Sequence, residues 1–222
     1  MANPDFLPLT EYREYSAEEM MRRATEFYED MKRRRSVRNF SKKPVPKEVI
    51  ETCLKAAISA PSAANIQPWK FVVISDPDVK RQIRHAAERE AKELYNKWAP
   101  EEGVDAFSPF DTSGTSHFLE DAPYLIAVFA NNYGFSEMAE EFRYYYVRES
   151  VGIATGILIT AIHRAGLAML THTPNPMNFL NRILKRPDNE QPVLILVVGY
   201  PAENAIVPNF QKKSLDEAVT FI

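Results

Sequence analysis

The longest apolar stretch of the chain, Val151 to Ile162, constrains first what it can fold into. Crossing a bilayer takes about 20 apolar residues, and this stretch is shorter and flanked by Arg148, Glu149 and Arg164. Protein must bury it, as the centre of a helix-like segment expected from Glu137 to Ala165. Gly152 and Gly156 lie one turn apart beside Ile153, Ile157 and Ile159, a spacing that lets another helix approach closely. Two arrangements satisfy it: packing on a partner subunit, or burial within one subunit.

Around this segment the pattern alternates between helical and strand periods. Ser16 to Glu19 has the form of a capping box, and Met20, Met21, Ala24, Phe27, Tyr28 and Met31 continue it as a helical stripe ending near Arg33. Pro46 opens a second helix with Val49, Ile50, Cys53, Leu54, Ala57 and Ile58 on one side. Strands are expected at Lys70 to Ser75, Tyr124 to Ala130, Leu167 to Thr171 and Val193 to Gly199. A charged helix should run from Pro77 to about Trp98, with an irregular stretch from Ala99 to His117. The last segment, Tyr200 to Ile222, carries Ile206, Val207, Phe210, Leu215, Val219 and Phe221 with no core of its own, so it is expected to embrace a partner subunit. At 222 residues the whole chain, 1–222, suits one domain with long arms.

Charge and cysteine content exclude several functions. A net charge of -3 gives no field that draws the chain to nucleic acid or anionic membranes. The single Cys53 rules out an internal disulfide and any multi-cysteine metal site. His85, His117, His163 and His172 show no ligand spacing with carboxylates, so no metal is expected. Neither GxGxxG nor GxxxxGK[ST] occurs, which removes support for a Rossmann NAD fold or a P-loop. Met1 to Thr10 lacks the basic start and apolar run of a signal peptide, and a soluble cytoplasmic protein is expected.

Three short segments carry chemistry when taken together. Arg33-Arg34-Arg35-Ser36-Val37-Arg38 follows the first helix; alone it reads as a solvated helix end, where basic side chains are favourable. Ala60-Pro61-Ser62-Ala63-Ala64-Asn65-Ile66-Gln67-Pro68-Trp69 follows the second, and alone is as well explained by an ordinary helix-to-strand connection. Thr171-His172-Thr173-Pro174 alone reads as a simple turn, and it also presents hydroxyls and N–H groups at a strand end. Guanidiniums with a hydroxyl can hold a phosphate dianion through charge-assisted bonds, and a small-residue loop lets backbone amides approach a flat ring. The combination points to a flavin phosphate site and to bound FMN.

On these motifs, with Tyr144 to Gly156 and Val198-Gly199-Tyr200-Pro201, the chain resembles the nitroreductase superfamily of FMN-dependent homodimers, and within it the iodotyrosine deiodinases, from about Glu26 to Leu215. The resemblance implies an α+β fold: a mixed, mainly antiparallel sheet flanked by helices, in a domain-swapped homodimer whose arms, 200–222 here, embrace the partner. It further implies that Arg34, Arg35, Ser36 and Arg38 hold the ribityl phosphate with Lys213, that Pro61, Ser62 and Ala63 line the isoalloxazine, and that Thr171, His172 and Thr173 lie along the ring. Thr173 matches the residue that hydrogen-bonds flavin N5, a contact that favours dehalogenation through the flavin semiquinone over hydride transfer. The Ala64 amide would receive the substrate phenolate.

The departure from the deiodinases lies in the lid, about 88–117. That family grips the substrate zwitterion with Glu, Tyr and Lys; here Tyr95 matches, but the other positions are Ala91 and Ser116. Glu90 and Lys92 point about 100° away on a helix and do not simply replace them. A charged hydrogen bond contributes about 1.5 to 3 kcal/mol, so two lost partners predict halotyrosine binding weaker by about two to four orders of magnitude. The expected activity is FMN-dependent reductive dehalogenation of halophenols or halotyrosines; no nicotinamide motif is present, and the electron donor stays open between NAD(P)H and a reductase. Nitroaromatic or quinone reduction is the alternative within the superfamily, to which Asn65 and Gln67 lean; a non-catalytic flavin-binding protein is the alternative outside it.

Overall fold

The computed structural model describes residues 6–98, 116–135 and 141–222, with only the backbone described at 94–98, 135, 141 and 142. The chain divides into two compact units, Met1–Arg34 and Arg35–Ile222. The first carries one helix, α1 (Ala17–Lys32), whose N-cap Ser16 accepts a hydrogen bond from the Glu19 N–H at 3.3 Å. None of its residues is buried, and Met20, Met21, Phe27 and Tyr28 of the apolar stripe are exposed.

The second unit is a sheet between helices. Its strands are β1 (Trp69–Ile74), β2 (Tyr124–Asn131), β5 (Ala168–His172) and β6 (Glu190–Gly199), in the order β1-β2-β6-β5. Every neighbouring pair is antiparallel. A separate hairpin pairs β3 (Tyr133–Phe135) with β4 (Glu141–Arg143). The helices are α2 (Lys47–Ile58), α3 (Pro77–Trp98), α4 (Phe118–Asp121), α5 (Val147–Arg164), α6 (Phe179–Leu184) and α7 (Leu215–Ala218).

Strand alternation sorts the core into two faces. Leu125, Ala127, Phe129, Ile195 and Val197 pack with Ile83 and Ala87 of α3 and Phe179 and Leu180 of α6. Ile126, Leu196 and Val198 point the other way, against Ile50, Cys53 and Ala57 of α2 and Leu158 and Ile162 of α5. Because both faces are covered, β2 is buried without interruption from Leu125 to Ala130 and reads in sequence as a continuous apolar run. This is the expected α+β arrangement of a mainly antiparallel sheet flanked by helices. Burial raises the Cys53 thiol above its ordinary pKa, as for an inert core cysteine.

Two features fix how the sheet is entered and left. The buried Lys80 ammonium donates to the carbonyls of Glu120 at 2.9 Å and Ala122 at 2.7 Å, tying α3 to the turn before β2, and burial lowers its pKa from the usual lysine value. At the end of β6, a Cβ built on Gly199 would lie 2.5 Å from Pro123 Cδ, part of a ring that cannot swing aside. Gly199→Ala therefore forces the backbone apart and is expected to cost about 1 to 3 kcal/mol, read as a lower urea midpoint with unchanged slope.

The structure shortens the long helix. Helix α5 begins at Val147, ten residues after the expected Glu137, with Tyr146 as a left-handed N-cap at φ 54 and β4 occupying Glu141–Arg143. Helices α4 and α6, of four and six residues, were not expected from the sequence because neither is long enough to show a period. The C-terminal segment begins against its own core, where Tyr200 and Ala205 pack, and carries α7, held by a full capping box between Ser214 and Glu217; Ile206, Phe210, Leu215 and Phe221 are exposed. On α5, Ile153 is also exposed, and a Cβ added at Gly152 or Gly156 would meet nothing within 4 Å.

Candidate functional site

The residues after Arg34 run alongside β5. Ser36 forms a parallel bridge with Met169, and the Val37 N–H donates to the Met169 carbonyl at 3.0 Å. Further on, Ser41 N–H donates to Tyr200 and Ala202 N–H to Asn39, both at 2.9 Å. Val37 and Phe40 are buried and hold this segment down. Side chains alternate across extended backbone, so Ser36 and Arg38 stand on the side opposite Val37, with Arg35 exposed at the start. Thr171 lies two residues beyond Met169, about 7 Å along β5. Thr171 and Thr173 are exposed, whereas His172 is half-buried with its ring edge-on to Phe118, centroids 5.2 Å apart. One sheet edge thus carries two guanidiniums and three hydroxyls. Arg34 ends the first unit, its N–H donating to Met31 at 3.1 Å. Lys213 is exposed directly before the Ser214 cap.

The second segment is a strained loop leading into β1. Ala64, Asn65 and Gln67 have φ of 49°, 55° and 52°, in the left-handed region that costs a residue with a Cβ about 1 to 2 kcal/mol. Ser62 supports this geometry from within: its carbonyl accepts from Asn65 N–H at 3.1 Å and its Oγ from Gln67 N–H at 2.9 Å. Ala64, Asn65 and Gln67 are exposed, while Pro68 and Trp69 anchor the exit in the core. Such strain at an exposed, small-residue turn is the kind that accompanies a functional site.

These two groups belong to opposite edges of the sheet. The loop enters β1 and Thr171–Thr173 closes β5, so three strand spacings, about 14 Å, separate the strands they sit on.

Of the expected lid residues, Ala91 is exposed on α3, and Tyr95 lies on the same helix with its side chain outside the described residues. Most of 88–117 is likewise outside them. Ser116 is buried, and its N–H donates to Glu88 Oε1 at 2.7 Å. Arg84 Nε lies 3.2 Å from that same carboxylate oxygen, and Arg84 Nη1 lies 3.1 Å from Glu120 and 3.0 Å from His117 Nδ1. Glu88, one turn before Ala91, is therefore engaged by Ser116 and Arg84. In sequence Arg84 and Glu88 show only as an i,i+4 pair on one helix face, and their contacts with Ser116, His117 and Glu120, like the bond from Ala63 N–H to Ser150 Oγ at 3.4 Å, join residues far apart in the chain that no local spacing reports.

The Nitroreductase family model matches residues 31–200. The chain belongs to the nitroreductase family. Among its relatives is the iodotyrosine deiodinase of Haliscomenobacter hydrossis, 49% identical over 219 residues that cover 99% of this chain and 97% of the relative. The human iodotyrosine deiodinase 1 is 38% identical over 221 residues, 99% of this chain and 76% of that protein. A crystal structure of oxidized iodotyrosine deiodinase bound to FMN and 3-iodo-L-tyrosine matches with a TM-score of 0.72 at 32% identity, covering 85% of this chain and 95% of that one.

The donors of this nitroreductase-family chain suit a flavin mononucleotide. Planar guanidiniums beside Ser36 offer bidentate bonds to a phosphate, and the β5 hydroxyls offer neutral donors further along. Among the described residues no group of histidine, cysteine and carboxylate side chains could hold a metal ion, and no helix is long and apolar enough to cross a membrane.

Proposed function

We propose that this chain is an FMN-dependent oxidoreductase that removes iodide from halophenols and halotyrosines, with a weakened preference for the amino-acid zwitterion. The cation and hydroxyl cluster along the β5 edge carries this reading, and the similarity to named iodotyrosine deiodinases supplies the reaction class. Arg34, Arg35, Ser36 and Arg38, with Lys213, bind the phosphate; Pro61, Ser62 and Ala63 line the ring; Thr171, His172 and Thr173 lie along it. Bound FMN, once reduced by the electron donor, would supply the two electrons that, with a proton, replace carbon–iodine by carbon–hydrogen and release iodide. The Thr173 hydroxyl donates to the ring N5, and the N–H of Ala64, an exposed residue in a left-handed turn, donates to the phenolate oxygen.

The acting form is a homodimer. The two halves of the site sit on opposite sheet edges, the open face of α5 and the uncovered arm offer apolar surface, and a second copy satisfies all three. In this reading 1–222 is one flavin domain, 88–117 the lid and 200–222 the embracing arm, in a cytoplasmic protein reduced by NAD(P)H or a reductase. At the substrate end, Tyr95 remains as a polar contact, while Ala91 and Ser116 offer neither the carboxylate nor the ammonium that a zwitterion needs.

The test is chemical. FMN-loaded protein, reduced without oxygen, is expected to release iodide from 2-iodophenol in step with flavin reoxidation. Reduction of a nitroaromatic with no iodide from any halophenol would move the assignment to nitroaromatic reduction.

A further inference from the structure

We propose that Ser150 is a positioning residue that sets the Pro61–Gln67 loop from the first turn of α5. This rests on the proposed role of that loop in lining the flavin and receiving the phenolate.

The loop holds three left-handed residues, and the bonds from Ser62 to Asn65 and Gln67 fix its internal shape only. Its ends are seated by the buried Ala60, Pro68 and Trp69, which leaves the middle of the turn to be placed. Ser150, 87 residues away, reaches that middle, its Oγ accepting from the Ala63 N–H at 3.4 Å. Ser150 is buried, and its hydroxyl hydrogen is committed to the Tyr146 carbonyl at 2.8 Å. With the hydrogen used there, the oxygen lone pairs are left to face Ala63, so a single hydroxyl joins two left-handed backbone sites, Tyr146 and the turn at Ala64.

Packing alone does not impose the same position. A hollow of about 220 Å³ opens between the loop and α5, lined by Pro61, Ser62 and Ala63 on one side and by Tyr146, Ser150 and Ile153 on the other. Side chains near such a gap hold the loop weakly, whereas a directional bond to Ala63 orients the adjacent Ala64 amide. Removing the hydroxyl leaves the Ala63 N–H without its acceptor and lets the turn wander, which misaims the donor at Ala64 while leaving the β5-edge cluster untouched.

The experiment compares amide hydrogen exchange in the flavin-free and FMN-loaded protein for wild type, Ser150→Ala, and the isosteric pair Ser150→Thr and Ser150→Val. Loss of the hydroxyl is expected to speed exchange at Ala63 and Ala64 about tenfold in Ala and Val but not in Thr, in both forms of the protein. In the loaded protein, KM for 2-iodophenol should rise about three- to tenfold while the FMN dissociation constant changes less than twofold. Unchanged exchange in both Ala and Val overturns the positioning role, as does equal acceleration in Thr and Val. The exchange comparison without flavin stands whether or not iodide is released, so failure of the Ser150 inference and failure of the dehalogenase reading give different results.

Discussion

Replacing Arg35 and Arg38 together by alanine lowers FMN affinity by about two to four orders of magnitude. Each guanidinium is assigned a charge-assisted contact with the phosphate, and such a bond contributes about 1.5 to 3 kcal/mol, so losing two gives roughly a 10²- to 10⁴-fold change. The fold should survive, because neither residue belongs to the buried core and the segment is held by Val37, Phe40 and backbone bonds to Met169 and Tyr200. Titrating the flavin-free protein with FMN while following flavin fluorescence gives the constant directly, and circular dichroism checks the fold. A loss below tenfold would place the phosphate elsewhere and remove the main support for the site.

The second large effect concerns specificity. Ala91→Glu is expected to raise kcat/KM for 3-iodotyrosine by about 10- to 150-fold, the worth of one charged hydrogen bond, with 2-iodophenol unchanged. Ala91 is exposed on α3, and glutamate is a good helix former, so the substitution should be tolerated. Ser116→Lys is harder. Ser116 is buried with its N–H on Glu88, and a lysine there must route its stem outward before the ammonium reaches anything. The double variant should therefore show less than additive gain over Ala91→Glu, and some loss of stability. Equal responses of both compounds would mean that Ala91 does not face the substrate ammonium.

Much of this architecture was legible because burial on both faces of the sheet writes itself into composition. β2 and β6 show as apolar runs, and α3 runs Pro77–Trp98 as its proline start and charged pattern suggested. The start of α5 is not legible, because helix-forming residues such as Glu137, Met138 and Ala139 precede it, whereas the antiparallel pairing of Tyr133–Phe135 with Glu141–Arg143 has no local signature. Of the proposed site, Arg35, Ser36 and Arg38 stand close together in sequence, and the small residues at Pro61–Ala64 flag an unusual turn, although nothing in sequence reveals φ of 49° at Ala64. Ser150 and Glu88 could not be found that way: one bond spans 87 residues and the other 28, and only the packing of α5 and α3 brings them about.

The measurement that bears most directly on the central claim is anaerobic iodide release from the reduced FMN-loaded protein, with 3-iodotyrosine and 2-iodophenol compared at matched concentrations. Stoichiometric iodide from both, with 2-iodophenol turned over at least as fast, is the expected result, since the phenolate contact proposed for Ala64 would serve both while Ala91 and Ser116 would give the zwitterion no charged partner. No iodide from either compound, with the flavin remaining reduced, would contradict the account.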